Sequence, residues 1–182
     1  YRKKGEQGEV EVFLDPNTFL FDLTSSISIT SSSKDGKYFV YGVSKAGSDW
    51  NEFFVMEVAT KTKLKDHLKW IKFSGASWYG DGFYYNRYDE PETGKELSAK
   101  NENRKVYFHK VGTDQSEDVL IYEDKDHPEY SVSIYTSKDQ RFLFMSKGKR
   151  GSKGNELYYK DLSKGDKEFK AISTGFEDSY SI

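Results

Sequence analysis

The chain has 182 residues, enough for one ordinary domain with its own core. Its 28 basic and 30 acidic residues leave a net charge of −2, so there is no electrostatic footprint for nucleic acid. No apolar run reaches the roughly 18 residues of a spanning helix or forms a signal-peptide core, so no membrane partner is expected. The lack of cysteine excludes disulfides and thiolate chemistry, without separating a cytoplasmic from a periplasmic location.

Aromatic residues make up 16% of the chain and proline only 3 positions, a composition that favours strands over disorder. Val10 to Leu14 reads as the last strand of an earlier blade. Ile27 to Thr30 comes next; Asp35-Gly36 turns it and Tyr38 to Val43 returns. Phe53 to Val58 follows, then a turn at Thr60 to Thr62 and an edge strand near Leu64. Lys61 to Trp70 admits a short helix, but continuing the hairpin is simpler. The second set of strands is Phe73 to Trp78, Phe83 to Arg87, Lys105 to Val111 and Val119 to Tyr122. A third set is Val132 to Thr136, Arg141 to Ser146, Glu156 to Leu162 and Phe169 to Ile172, and Tyr180 to Ile182 begins another strand. Short apolar runs separated by Gly, Asp and Ser turns are the pattern of an all-β repeat protein.

The repeat can be read directly. Ser33-Lys34-Asp35-Gly36-Lys37-Tyr38-Phe39-Val40, Trp78-Tyr79-Gly80-Asp81-Gly82-Phe83-Tyr84-Tyr85 and Ser137-Lys138-Asp139-Gln140-Arg141-Phe142-Leu143-Phe144 each lead through a turn into an aromatic strand. Their aspartates stand 46 and 58 residues apart, a spacing that fits β-propeller blades. Since a propeller closes with typically four to eight blades, the predicted fold is an all-β partial propeller. It has about three four-stranded antiparallel blades and fragments of the flanking ones. The predicted division is 1–20 for the end of a first blade, 21–70, 71–125 and 126–176 for three blades, and 177–182 for the start of the next. The start at Tyr1 fits a processed or excised fragment.

The Asp-Gly pairs suit two-residue hairpins, which need positive φ; Gln140 in place of glycine predicts a less ideal turn. Up-and-down connectivity then places Ser44 to Asn51, Tyr88 to Asn103, Lys147 to Asn155 and the approaches to Phe73 and Val132 at one end of the blades. The Asp-Gly and Gly-Thr-Asp turns fall at the other. Tyr88 to Asn103 is the longest loop and is expected to be mobile.

Self-contained chemistry is sparse. There is no G-x-S-x-G elbow; Gly151-Ser152-Lys153-Gly154 lacks the residue between glycine and serine and reads as a hairpin loop. His67, His109 and His127 lack close ligand spacing, so surface or strand positions are expected rather than zinc. No phosphate-cradling glycine motif occurs, and no cofactor is expected. Asp114 to Asp118 reads as a turn rather than a calcium loop, lacking the glycine and final glutamate of an EF-hand. Lys147 to Lys153 is basic enough to bind anions, but on a balanced chain a solvated loop or salt-bridged edge is the simpler reading. Trp50, Trp70 and Trp78 are expected to wedge between blades.

Several motifs, in order, resemble the propeller of prolyl oligopeptidase. They are Phe13-Leu14-Asp15-Pro16-Asn17, Val43-Ser44 with Gly47-Ser48-Asp49-Trp50, Ile71 to Trp78, Tyr84-Tyr85-Asn86-Arg87-Tyr88, and Asn155 to Leu162. The most specific is Gly112-Thr113-Asp114-Gln115-Ser116-Glu117-Asp118. The resemblance implies a serine peptidase that cuts short peptides after proline. In that family an α/β-hydrolase domain carries a Ser-Asp-His triad, and a seven-bladed propeller covers the active site and filters substrates by size. This chain would supply roughly the first half of that propeller, with the hydrolase domain and remaining blades as its partners and short proline-containing peptides as the parent enzyme's substrates.

By the same resemblance, Phe73 matches an aromatic lining the pocket for the residue two before the scissile bond. Tyr88 to Asn103 matches a mobile loop that governs access to the active site. Gly148 stands where the mammalian pattern has a peptide-binding arginine, which leaves Lys149 or Arg150 as substitutes from the same loop. Ser131 stands where that pocket has a methionine, making its wall more polar. The expected substrate-binding residues are therefore Phe73, Lys149 and Arg150, with no catalytic or metal residue on the chain. The competing reading is a propeller-type interaction module with no enzymatic parent; open blade edges argue against it and predict self-association.

Overall fold

The computed structural model describes residues 1–3, 5–15, 17, 24–45, 47–96, 98 and 100–182. Strands β1 (Arg2–Lys3) and β2 (Val10–Glu11) form a short antiparallel ladder. Three four-stranded antiparallel sheets follow, each a simple meander. The first comprises β3 (Ser26–Ser32), β4 (Tyr38–Ser44), β5 (Asn51–Glu57) and β6 (Thr62–Ile71). The second comprises β7 (Ser77–Tyr79), β8 (Gly82–Arg87), β9 (Lys105–Lys110) and β10 (Val119–Tyr122). In the third are β11 (Ser131–Thr136), β12 (Phe142–Gly148), β13 (Asn155–Asp161) and β14 (Lys170–Ser173). The sheets are the blades of a partial propeller.

The Lys61 to Trp70 stretch continues the hairpin as expected: Lys61 lies in the turn and the strand near Leu64 runs from Thr62 to Ile71. Three details differ from the sequence reading. The first strand keeps only Val10–Glu11, and 180–182 form no strand. β7 begins at Ser77 rather than Phe73, because Phe73 has φ 52° and breaks the extended run. The Asp35-Gly36 pair does not make a two-residue hairpin: Ser33 N–H donates to Tyr38 O at 2.9 Å, closing a four-residue loop. The true two-residue turn is Gly80-Asp81, between the paired Tyr79 and Gly82, with Gly80 at φ 56°.

The third repeat copies the first bond for bond. Ser33 Oγ and Ser137 Oγ donate to the aspartates two residues on at 2.6 and 2.5 Å. Each hydroxyl also accepts the amide five residues on, at 2.8 and 2.9 Å. Gln140 adopts φ 64° where Gly36 has 71°. A left-handed Gln costs more than Gly, but its Nε2 donates to Trp78 O of the preceding sheet at 3.1 Å, which offsets part of that cost.

Strand alternation explains how the sheets stack. In β4, Tyr38 and Val40 face the second sheet, where Trp78, Phe83 and Tyr85 meet Phe53, Val55, Leu68 and Ile71. The intervening Phe39, Tyr41 and Val43 face the other way and are covered by Phe13 and Leu14. Period-2 alternation puts the two sets on opposite faces. Val106 of the second sheet meets Val132 and Met145 of the third, flanked by Tyr122, Ile134, Tyr158 and Phe169. Burying a side chain such as Phe53 or Leu68 completely contributes about 1.5–3 kcal/mol. Each sheet therefore relies on its neighbour.

The first strands of the sheets are rich in serine and threonine for a local reason. Ser31 Oγ donates to Ala76 O at 3.0 Å, Ser77 Oγ to Ile134 O at 3.1 Å, and Thr136 Oγ1 to Trp78 O at 3.0 Å. These hydroxyls occupy carbonyls between the sheets that no strand ladder reaches.

The segment from Gly112 to Asp118 clasps the first two sheets together. Gly112, at φ 86°, donates its N–H to Asp66 Oδ1 at 2.6 Å. Gln115 grips the backbone of Lys69 twice: its Oε1 accepts from Lys69 N at 3.0 Å and its Nε2 donates to Lys69 O at 3.1 Å. Glu117 Oε1 caps the turn by accepting from Asp114 N at 3.0 Å. Asp118 accepts from Tyr85 Oη at 2.5 Å and pairs with His109 Nδ1 at 2.6 Å, while His109 Nε2 pairs with Asp66 Oδ1 at 2.9 Å. The side chains of all three ionic partners are fully buried.

Burial opposes a charge on His109, but the bonds to Asp118 and Asp66 outweigh it and raise its pKa to about 9. Burial alone would raise the Asp66 pKa; the bonds from His109 and Gly112 bring it below the usual carboxylate value. The raised histidine stabilises the fold fully below its unfolded pKa of about 6.5, and this contribution fades as pH rises through about 9. Asp66 contributes in the opposite direction, and its share is lost as pH falls through its depressed value. The melting temperature should therefore drop between pH 7 and 10, by a loss of order 3 kcal/mol. His109→Gln should melt lower at pH 7 and flatten that slope; a wild-type slope as flat as the variant's would contradict the charged clasp.

Candidate functional site

Antiparallel meanders gather the β4–β5, β8–β9 and β12–β13 loops, with the β6–β7 and β10–β11 links, at one end of the sheets. Phe73 lies on the β6–β7 link. Its side chain is 60% exposed, although its neighbours Lys72 and Ser74 are both buried. Its φ of 52° is unusual for a bulky non-glycine residue. Ser74 Oγ accepts the Asn86 amide at 2.7 Å and donates to Gly75 O at 2.8 Å. The Phe73 carbonyl accepts a hydrogen bond from Arg104 Nη2. The aromatic ring is thus presented outward from a fixed backbone.

Two buried cations flank it. Lys72 Nζ donates to Asn101 Oδ1 at 3.1 Å and lies 4.0 Å from the centroid of the Trp50 ring. Arg104 is 8% exposed, burial lowers its pKa, and its Nε has no hydrogen-bond partner among the described residues. Among the described residues neither cation meets a carboxylate. The sequence reading missed both; Arg104 follows a run of polar loop residues and nothing in that run marks it as buried.

Among its described residues the 88–104 loop is tied down at several points. Tyr88 N donates to Trp70 O at 2.9 Å and Asn103 N to Pro128 O at 2.8 Å. Lys105 Nζ pairs with Asp89 at 2.7 Å. Trp50 Nε1 donates to Glu96 O at 2.6 Å. Trp70, at φ 62°, sits in a bulge where β6 carries an extra residue against β5. This directs its ring edge-on to Trp50 at 5.5 Å, and Trp50 also meets Tyr88 at 6.0 Å. Of the three tryptophans only Trp78 wedges between sheets, stacked on Tyr38 at 6.4 Å; Trp50 and Trp70 anchor the loop instead and border a cavity of about 200 Å³ with Lys69 and Glu96.

Lys149 and Arg150 lie in the exposed β12–β13 turn, beside Ser152, Lys153, Phe176 and Glu177. Neither side chain has an ion-pair partner among the described residues, and neither contacts Phe73. Lys147 of the same basic stretch behaves differently: it is mostly buried in β12 and pairs with Asp124 at 2.7 Å. Burial opposes its charge, but the bonds to Asp124 and Tyr122 prevail and raise its pKa. Gly148 and Ser131 are direct cross-strand partners, and a Cβ at Gly148 would fall 2.7 Å from Ser131 Oγ. Gly148 and Ser131, the two positions singled out in the sequence reading, therefore form a single contact.

His67 is exposed, stacks on Phe54 at 4.7 Å and pairs with Glu52 at 2.6 Å; His127 pairs with Asp124 at 3.2 Å. Among the described residues no cluster of three or more His, Asp or Glu is arranged to hold a metal.

The sequence pattern described as the prolyl oligopeptidase N-terminal β-propeller domain matches residues 1–182. The chain belongs to the prolyl oligopeptidase family. It is 42% identical over 181 residues to a prolyl endopeptidase of Elizabethkingia meningoseptica, covering 99% of this chain and 25% of that protein. A prolyl endopeptidase of Elizabethkingia miricola is 43% identical with the same coverage. Prolyl oligopeptidase B from Galerina marginata, solved bound to a 35mer hydrolysis and macrocyclization substrate, superposes with a TM-score of 0.85 at 31% identity, covering 94% of this chain and 26% of that one. The chain spans about a quarter of the length of these relatives and corresponds to part of their N-terminal propeller.

The loop anchor can be checked directly. Trp50→Phe keeps the aromatic packing and removes the bond to Glu96 O, worth about 1 kcal/mol. Protease cleavage within 88–104 should then accelerate about fivefold while the melting temperature changes little. An unchanged cleavage rate would show that Trp50 Nε1 does not restrain the loop.

Proposed function

We propose that this chain covers the active site of a prolyl oligopeptidase and filters short proline-containing peptides for a serine-type endopeptidase domain encoded elsewhere in the same protein. The division into blades at 21–70, 71–125 and 126–176 belongs to the same reading. The observation that carries it is Phe73, a large aromatic exposed at the loop-rich end on a strained and pinned backbone. Loops held by a rigid scaffold are where binding residues concentrate. The Galerina marginata enzyme's capture of 25mer and 35mer peptides supports peptides as the ligand class.

Within this site Phe73 packs against the side chain two before the scissile bond. Lys149 and Arg150 stand in for the arginine that Gly148 cannot provide, but from an exposed turn without fixed partners. Their contribution is accordingly the smaller. In the full-length enzyme, Phe73→Ala should lower kcat/KM by about tenfold for peptides with a bulky residue at that position, and much less for those with glycine. Lys149→Ala and Arg150→Ala should each cost less than Phe73→Ala. A size-dependent loss in Arg150→Ala, with none in Phe73→Ala, would assign the contact to the basic turn.

The interaction-module reading draws on one specific feature. The outward face of the third sheet carries Tyr135, Phe142, Phe144 and Tyr159 in ring contact at 5.5–6.1 Å, all half-buried. In the enzyme reading a further blade covers this face. Expressed as 182 residues, the chain should instead cover it by self-association, since an apolar patch of this kind seeks a partner. Light scattering that shows dimers or larger species, dispersed by Phe144→Lys, would agree; a stable monomer at high concentration would count against it.

A further inference from the structure

We infer that Arg104 is the positioning residue for Phe73, fixing the carbonyl that sets the direction of the aromatic ring and thereby the enzyme's selectivity for bulky side chains at that subsite. The inference rests on the role proposed for Phe73 and adds a second residue to it.

Two independent costs meet at this contact. Phe73 holds φ 52°, a conformation that costs a bulky L-residue on the order of 1–2 kcal/mol and that glycine or asparagine would adopt more cheaply. Arg104 is 8% exposed with no carboxylate partner among the described residues and an unbonded Nε, a burial that disfavours the guanidinium. The apolar clusters that stack the sheets do not include Phe73. A strained backbone persists only where its surroundings over-determine it, and the surroundings of Phe73 are specific. Arg104 Nη2 holds its carbonyl, and Ser74 Oγ holds the next residue against Asn86 N at 2.7 Å.

The geometry explains why arginine stands here. Arg104 immediately precedes β9, and the preceding Asn103 is itself left-handed at φ 59° with its N–H on Pro128 O. The arginine thus projects from a fixed point on the second sheet to the link entering it. Its charge strengthens a bond to a neutral carbonyl beyond that of an amide donor. Its planar fork loses less freedom than a lysine ammonium would. Without it the 72–76 link can relax toward an ordinary negative φ, which swings the Phe73 ring away from its outward position while leaving both sheets intact.

The test uses the full-length enzyme and two matched peptide series, one with phenylalanine and one with glycine two residues before the cleaved proline bond. Arg104→Gln should raise KM about tenfold for the phenylalanine series, with a clearly smaller rise for the glycine series and a smaller change in kcat than in KM. Arg104→Lys, which keeps one charged donor, should fall between. In a Phe73→Ala background, Arg104→Gln should add less than about twofold, because the two residues act as one unit.

Equal losses for both series, or a full additional loss on top of Phe73→Ala, would overturn the inference. If Phe73→Ala itself shows no dependence on side-chain size, the proposed subsite fails instead. The positioning claim is then decided separately by ¹⁹F spectra of 4-fluorophenylalanine at position 73. Arg104→Lys must shift or broaden that signal, and an unmoved resonance rejects the claim even where Arg104→Gln does not fold.

Discussion

The first β-sheet of this chain has two apolar faces, and both must be covered. In β4 and β5 both sets of alternating residues are hydrophobic: Val40, Phe53 and Val55 point one way, Tyr41, Phe54 and Met56 the other. A solvent-facing sheet would carry polar residues on one set. This double requirement forces radial stacking, and stacking brings the first strands of successive sheets side by side. Hydroxyls rather than apolar groups then serve best between them, as Ser31, Ser77 and Thr136 do by bonding to the neighbouring backbone. The serine-rich character of β3 and β11 is a consequence of the same packing.

Apolar stacking is non-directional and by itself leaves two twisted sheets free to slide. The 112–118 turn removes that freedom between the first two. Gln115 reads the Lys69 backbone as a paired strand would, and it does so next to the bulge that aims Trp70 at Trp50. The buried Asp66–His109–Asp118 chain extends the clasp inward. Buried ions are weak sources of net stability against apolar alternatives, but a network with one partner removed is strongly unfavourable. Directional bonds of this kind fix the relative placement of the sheets, and that placement determines where the loops at the far end stand.

The sequence made the repeat readable because its turns are local: Ser33 to Tyr38 and Ser137 to Phe142 carry their hydrogen-bonding partners within five residues. Strand order followed from connectivity. What it hid was long-range. His109 sits in an alternating strand, and nothing nearby indicates that Asp66, 43 positions away, meets its ring. Asp118 was visible only as one of a run of acids that suit a turn. Arg104 and Lys72 look like solvated surface charges by composition, and their burial depends on how the 88–104 loop folds back. Connectivity placed Phe73 at the loop-rich end of the sheets, but its left-handed backbone is invisible in a residue type that rarely adopts it. Gln140 was expected to weaken its turn; the bond that offsets the strain comes from Trp78 in another sheet.

Strain is distributed unevenly, and its distribution bears on specificity. Gly36, Gly80 and Gln140 accommodate positive φ at the tight turns, where mostly glycine is used. At the loop-rich end Gly47, Gly94 and Gly151 are left-handed too, but among the described residues the non-glycine left-handed positions there are Trp70, Phe73 and Asn103, two of them aromatic. There the conformation orients a ring rather than merely reversing the chain. The same end holds the Gly148–Ser131 pair, two small residues in direct cross-strand contact. A Cβ at Gly148 would fall 2.7 Å from Ser131 Oγ, so enlarging Gly148 alone would clash. The side chains of the nearby Lys149 and Arg150 have no ion-pair partner among the described residues, and a long cation held by no partner loses entropy on fixing a ligand. Phe73, with its backbone already fixed, does not. In the proposed pocket, discrimination therefore shifts from a charged contact on the third sheet toward the shape of an aromatic wall between the first and second.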